Sequence, residues 1–348
     1  MQTTHEVFSR NSCVMEEIAD ESIQLVVTSP PYPMIELWDK LFTKLNPAIK
    51  KNIEAEKFSD AFNLMHAGLN KTWDECAKKL APGGICCVNI GDAVRTLNGS
   101  FQLWQNHSMI IKHFTETLGF TMLPAIIWRK STNKPNKFMG SGMLPTNAYV
   151  TLEHEYILIF RKGAKREFSE DERKRRYASA FFWEERNTWF SDVWLDLTGS
   201  RQEMQTNDAD LRTRSAAYPL ELAKRLILMF SVYGDTVLDP FWGTGTTTLA
   251  AMLTARNSLG YEISKKLVQN FKNDLTNFKD FVQKQNEGRL AEHLEFVDLN
   301  RGRFRYENEI YNFPVMTSQE IFMHIYNIMR IQQDSSNKFT LTHIPCEP

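Results

Sequence analysis

Residues 234–248 read Gly-Asp-Thr-Val-Leu-Asp-Pro-Phe-Trp-Gly-Thr-Gly-Thr-Thr-Thr and run on into Leu249-Ala250-Ala251. Thr236 to Leu238 predict a short buried strand and 246–256 a helix, so Gly-X-Gly at 243–245 is the turn between them. Glycines at 243 and 245 let the backbone approach a ligand closely. Thr246 or Thr247 is suited to cap the new helix, whose free N–H groups then face that ligand. The next predicted strand, 257–262, ends at Glu262, where an acid can grip ribose hydroxyls. No third glycine stands at the dinucleotide offset, so the spacing favours a nucleoside with a compact charged tail over a pyrophosphate.

Outward from this unit, short apolar runs alternate with amphipathic stretches, the pattern of an α/β protein with a mainly parallel sheet. Further strands are expected at 22–28, 85–91, 121–128, 155–161 and 294–298. Helices are expected at 57–80 (Phe58, Ala61, Phe62, Met65, Leu69, Trp73, Cys76 and Leu80 at helical spacing), 103–118, 218–232 and 264–286. Residues 163–216 break the rhythm with charged and aromatic residues in no clear period and predict an inserted subdomain. After Arg301 the pattern is irregular, with one helix-like piece at 317–330.

A second unusual stretch follows the apolar run Ile23 to Val27: Thr28-Ser29-Pro30-Pro31-Tyr32. Two consecutive prolines fix φ and remove two backbone donors, so the strand must end and the chain turn. The carbonyls of Ser29 and Pro30 are left without ladder partners, beside one hydroxyl and one aromatic face. That combination is a polar clamp next to a stacking platform, suited to a flat heterocycle carrying an exocyclic amine.

At 348 residues, 42% hydrophobic and 24% charged, the chain is of ordinary globular composition. No apolar stretch reaches the length of a membrane span, and the N-terminus has no signal-peptide core. Five cysteines, with Cys86-Cys87 inside an apolar run, fit no disulfide framework, and no residues have zinc-ligand spacing. These features predict a cytoplasmic, reducing compartment, no membrane partner and no metal. The formal net charge is −1, so no basic surface announces itself. Two local patches are basic nonetheless: Arg129, Lys130, Lys134 and Lys137 with no acid among them, and 161–176, where eight lysines and arginines, including Arg173, Arg175 and Arg176, face four acids. Both are compatible with phosphate binding.

Together, Thr28 to Tyr32 and Asp239-Pro240-Phe241-Trp242-Gly243-Thr244-Gly245-Thr246 resemble the amino-methylating DNA methyltransferases, in particular the β-ordered group in which the catalytic motif precedes the cofactor motif. Tyr218-Pro219-Leu220-Glu221-Leu222 is similar to the segment before the family's cofactor loop. Leu80 to Gly84 with Val88 to Asp92 is similar to its fifth-strand region, and Glu155 to Phe160 resembles its antiparallel last strand. The likeness spans most of residues 7–300.

The resemblance implies a Rossmann-like class I methyltransferase sheet, mainly parallel with the last strand antiparallel, in circularly permuted motif order. It implies two halves, 1–162 catalytic and 217–300 cofactor-binding, separated by a target-recognition insertion at 163–216 and followed by an extension at 301–348. The implied donor is S-adenosyl-L-methionine and the implied partner double-stranded DNA. Such enzymes commonly belong to restriction-modification systems, with a cognate restriction endonuclease acting separately, and a monomer or homodimer is expected. Ser29, Pro30, Pro31 and Tyr32 would form the catalytic site. Thr28, Tyr218, Pro219, Asp239, Phe241, Gly243, Gly245, Thr246 and Glu262 would surround the cofactor, with Asp298, after the expected strand 294–298, near its adenine. Serine at position 29 is the family's usual mark of N4-cytosine, whereas aspartate there marks N6-adenine.

Other enzymes fit less well. A cytosine C5-methyltransferase needs a nucleophilic Pro-Cys pair, and the one such pair, Pro345-Cys346, lies in an irregular tail. A zinc deaminase needs paired cysteines, and an NAD oxidoreductase needs the third glycine. The remaining alternatives are an N6-adenine enzyme of the same fold and a catalytically inactive DNA-binding relative.

Overall fold

The computed structural model describes residues 1–130, 139–197, 218–335 and 337–347. Ten strands form one sheet: β1 (Gln2–Phe8), β2 (Ile23–Thr28), β3 (Leu80–Ile90), β4 (Thr121–Arg129), β5 (His154–Arg161), β6 (Val193–Trp194), β7 (Thr236–Asp239), β8 (Asn257–Tyr261), β9 (Tyr326–Ser335) and β10 (Lys338–Pro345). Their order across the sheet is β6-β4-β5-β3-β2-β7-β8-β1-β10-β9. Strands β3, β2, β7, β8 and β1 are parallel neighbours. β5 runs against both β3 and β4, as expected for 155–161.

The parallel block is apolar on both faces because helices cover both. Ile23 and Val26 pack into the core formed with α3 (Phe58–Lys79). Leu25 and Val27 point the other way, against α7 (Leu220–Phe230) and α8 (Thr246–Leu253). All four are buried. Cys86 and Cys87 are free and buried in β3. Among the described residues no helix is long and apolar enough to cross a membrane.

Two sequence expectations are corrected. Residues 294–298 are not a strand: they are the final turns of the long helix α10 (Phe278–Leu299). The strand expected there is instead β1, at the N-terminus, which pairs in parallel with β8 through His5↔Ser258 and Phe8↔Tyr261. It escaped notice because its buried residues include Thr3 and His5, which carry no apolar signal. Nor is 317–330 helical: Tyr326 onward is β9, whose partner β10 continues the sheet beyond β1. The isoleucines 321, 325 and 328 imitate a helical stripe, but pairing with β10 decides the conformation.

The described part of the expected insertion, 163–197, contains α5 (Glu170–Ala178) and α6 (Trp183–Trp189). Arg289 in α10 pairs with Glu185, His293 Nδ1 lies 2.7 Å from a Glu184 carboxylate oxygen, and Glu320 accepts from the Trp183 amide. The chain then returns to the sheet at β6, where Trp194 sits beside Trp128 of β4.

Candidate active site

The carboxyl ends of β2 and β7 lie side by side, the place where parallel α/β sheets present their ligands. A buried hydrogen bond from Thr28 Oγ1 to Asp239 Oδ1, 2.6 Å long, joins the two loops that leave these ends. Asp239 Oδ1 also accepts from the Phe241 amide, and Oδ2 accepts from Thr247 at 2.7 Å and from the Tyr218 hydroxyl at 3.4 Å. Burial holds the Asp239 carboxyl above the usual carboxylate range, against the pull of these donors. Asp239 therefore acts as a keystone tying the Thr28 loop, the Phe241 turn, α8 and Tyr218 together.

Beyond Asp239 the chain turns through Gly243 (φ 56) and Gly245 (φ 85), both left-handed. Gly245 is the N-cap of α8, and Thr247 turns inward to Asp239, so the cap expected from Thr246 or Thr247 is supplied by glycine. A Cβ at Gly245 would lie 2.6 Å from the rings of Phe271 and Trp242, whereas one at Gly243 would meet only the Phe241 carbonyl at 3.8 Å. The backbone at Gly243 thus opens onto free space. Glu262 follows β8 and accepts from Gly243 N at 3.0 Å and Ser264 N at 2.7 Å, while burial raises its pKa. A carboxylate has about four lone-pair sites, so about two remain for further donors.

These loops line a cavity of about 880 Å³. Of the residues singled out by sequence, Ser29, Pro31, Phe241, Gly243 and Glu262 reach its wall. Thr28, Tyr218, Asp239, Gly245 and Thr246 stand behind it, and Pro219 caps α7 just after Tyr218. Beside Glu262, whose amide donates to the Phe8 carbonyl, lies a set that no sequence motif marks: Arg10, Asn11, Ser12 and Cys13, the loop after β1. They occupy the position after the third parallel strand that had been given to Asp298. Asp298 itself is exposed, pairs with Arg301 at 2.9 Å and does not join the site. Apolar side chains of α1 (Glu36–Leu45) and α2 (Pro47–Glu54), among them Trp38, Phe42 and Ile49, complete the cavity with α3. A wall of apolar side chains facing glycine backbone and a carboxylate fits a nucleoside bearing a charged tail.

On the β2 side, Ser29 Oγ lies 3.1 Å from the Tyr32 hydroxyl. Tyr32 donates to Glu155 Oε2 at 3.0 Å and receives a bond from Asn89 Nδ2 at 3.0 Å. Burial, then the Glu155 charge, push the Tyr32 phenol well above its ordinary pKa. Its ring rests on Gly91, where an added Cβ would come within 3.0 Å of Cε2.

The two basic patches separate. Arg129 and Lys130 end β4 on the same edge as the site, paired with Glu153 and Glu155, while Lys134 and Lys137 lie outside the described residues. Arg166 instead pairs with Asp235, just before β7 begins, and leads into α5. Arg173, Arg175 and Arg176 are therefore exposed at the opposite edge of the sheet and are not neighbours of Ser29.

This strand order and paired-loop site define a class I methyltransferase fold. Residues 23–273 match the N6/N4 family described as DNA methylase, and the chain belongs to that family. It is 49% identical over 353 residues to the type II methyltransferase M.MthZI of Methanothermobacter thermautotrophicus, covering 100% of this chain and 97% of that one. It is 52% identical over 276 residues to M.MjaI of Methanocaldococcus jannaschii, also a type II methyltransferase, covering 76% and 89%. Among solved structures it resembles TTHA0409 of Thermus thermophilus, a putative DNA modification methylase crystallised with S-adenosyl-L-methionine, at 29% identity and a TM-score of 0.61 over 79% of this chain and 94% of that one. The PvuII cytosine-N4-specific DNA methyltransferase shares the fold, with 17% identity and a TM-score of 0.51 over 80% and 93%.

Proposed function

We propose that this DNA methyltransferase transfers a methyl group to the exocyclic N4 amine of cytosine in double-stranded DNA, acting on a base turned out of the helix, as the protective methylase of a restriction-modification system. The observation that carries the reading is Ser29 on the cavity wall, at the head of a hydrogen-bond chain through Tyr32 and within one cavity with Gly243 and Glu262. S-adenosyl-L-methionine is the donor, and when bound it supplies an electrophilic methyl group.

An amine conjugated to a pyrimidine is a poor nucleophile because its lone pair is delocalised into the ring. N–H bonds donated to Ser29 Oγ and the Pro30 carbonyl favour a pyramidal nitrogen whose lone pair faces the methyl group. The site works by orientation and electrostatics, with no covalent intermediate. Pro30 and Pro31 hold these acceptors rigid. Tyr32 stacks on the extruded base, and stacking worth about 1–3 kcal/mol offsets much of the cost of unstacking. On the other side, the free lone pairs of Glu262 receive ribose hydroxyls, and the Gly243 turn admits the chain of the donor.

Target recognition is assigned to the insertion 163–216. Its described part reaches the site edge at Val193 to Leu197, and 198–216 lie outside the described residues. The test is to methylate plasmid DNA with purified protein and map modified bases by a method that separates N4-methylcytosine from N6-methyladenine. N4-methylcytosine at one short sequence is expected. N6-methyladenine would overturn the base assignment, and no modification would favour an inactive relative.

A further inference from the structure

One carboxylate outside both sequence motifs reaches the base site. Glu155 lies in β5, and its side chain comes up against Asn89 of β3 and Tyr32. Oε2 accepts from the Tyr32 hydroxyl at 3.0 Å and from Asn89 Nδ2 at 2.7 Å, and Oε1 accepts from Lys130 Nζ at 2.9 Å. Lys130 offsets the charge of a carboxylate that is mostly removed from water.

The direction of the bonds follows from counting protons. A phenol oxygen has one proton and two lone pairs, and an ionised carboxylate only accepts. The Tyr32 proton therefore points at Glu155, and one lone pair takes the Asn89 N–H. The remaining neighbour, Ser29 Oγ at 3.1 Å, then donates to Tyr32. With its single proton turned inward, Ser29 keeps only lone pairs for a substrate, and these accept an amine N–H.

We propose that Glu155 is a positioning residue for methyl transfer: it sets the direction of the Ser29–Tyr32 hydrogen bonds so that Ser29 accepts from the amine, and it fixes the Tyr32 ring as the platform for the base. This rests on the roles proposed above for Ser29 and Tyr32. A side chain unable to accept from Tyr32 frees the phenol proton to point at Ser29, whose own proton then faces the amine and repels it. Gly91 packs against the ring, so losing the Glu155 anchor leaves the ring held by that contact and by the hydrogen bonds of Asn89 and Ser29 alone.

The test is steady-state methyl transfer to DNA with the full chain. Glu155→Ala should lower kcat on the order of 10²-fold, the scale of a misplaced reacting group, with KM for DNA and the dissociation constant of S-adenosyl-L-methionine close to wild type. Glu155→Gln, whose amide oxygen still accepts from Tyr32, should recover most of that loss. In a Tyr32→Phe background Glu155→Ala should add nothing, because the hydroxyl through which it acts is gone. Unchanged kcat in Glu155→Ala, an equal loss in both backgrounds, or loss of cofactor binding that Glu155→Gln does not restore would each overturn the proposal. Identifying the methylated base in the same wild-type reactions keeps the two readings apart. A product on adenine overturns cytosine as the target, while the rate ratios still judge Glu155.

Discussion

The loop after β2 and the loop after β7 leave the same edge of the sheet from neighbouring strands, welded by the Thr28–Asp239 bond, yet they are built from opposite residues. The first has Pro30 and Pro31, which take away N–H groups and leave carbonyls and a hydroxyl. The second has Gly243 and Gly245 at positive φ: Gly243 presents bare backbone to the cavity with its N–H held by Glu262, and Gly245, behind it, gives its N–H to the Trp242 carbonyl. One loop offers acceptors, as an amine requires. The other offers an open wall beside the Glu262 carboxylate, which suits a nucleoside with hydroxyls and a charged tail. Two different backbone chemistries thus face one cavity, tied together by one buried carboxylate.

If this division is real, rate and cofactor affinity should separate by loop. The largest effect belongs to the acceptor side: Ser29→Ala or Tyr32→Ala should cut kcat on the order of 10²–10³-fold or more, leaving S-adenosyl-L-methionine binding nearly intact by calorimetry. Near-wild-type turnover in both variants would break the comparison at its first term. On the glycine side, Glu262→Ala removes a charged acceptor worth about 1.5–3 kcal/mol and should weaken cofactor binding by about 10- to 100-fold. An unchanged dissociation constant would take Glu262 out of the ribose role.

A smaller effect tests how the glycine loop is supported. Trp242 Nε1 donates to Thr248 at 2.8 Å, and its ring lies over Gly260 of β8, where an added Cβ would fall 2.2 Å from Cδ1. Gly260→Ala must push Trp242 out and should cost about 1–3 kcal/mol of stability, the usual range for overpacking. Urea melts that match wild type would show that the indole has room to move.

The smallest effect at neutral pH grows on acidification, and both loops share it. Behind the glycine loop, Thr3 Oγ1 lies 2.9 Å from His5 and 2.8 Å from His343, and His5 continues through Ser258 and Thr248 to Trp242. Behind the proline loop, His66 contacts Asn106, which donates to the carbonyls of Pro33 and Gly91. Burial lowers the pKa of His5 to about 3 and those of His66 and His343 to about 4. In the unfolded chain each binds a proton near pH 6.5, so the unfolded state holds more protons below that value. Stability is complete above about pH 6.5 and falls as pH drops toward 4. The melting temperature should therefore decline between pH 7 and 5, less steeply in His343→Gln; a flat profile would contradict burial of these rings.

The legible part of the site was local. Pro-Pro and Gly-X-Gly restrict the backbone wherever they occur, so Ser29 and Gly243 were found without knowing what surrounds them. Glu262 was found because it ends a strand next in sequence to the glycine turn. The illegible part was brought in from a distance. Arg10 to Cys13 line the cavity only because β1 pairs with β8, and β1 is marked by buried Thr3 and His5 in place of apolar residues. Asp298 failed for the converse reason: Leu294, Phe296 and Val297 alternate well enough to imitate a strand, but they lie at the end of a 22-residue helix.

Sequence alone thus determined the fold class and the two loops, because prolines and glycines act through φ and, for proline, through the missing N–H group. Tertiary structure decided which residues share the cavity with them. It moved the third parallel strand to the N-terminus and placed Arg173, Arg175 and Arg176 at the far edge. It also set Glu155 against Tyr32 across 123 positions of chain, a contact that no local pattern encodes because it depends on the parallel register of β2 with β3 and the antiparallel register of β3 with β5.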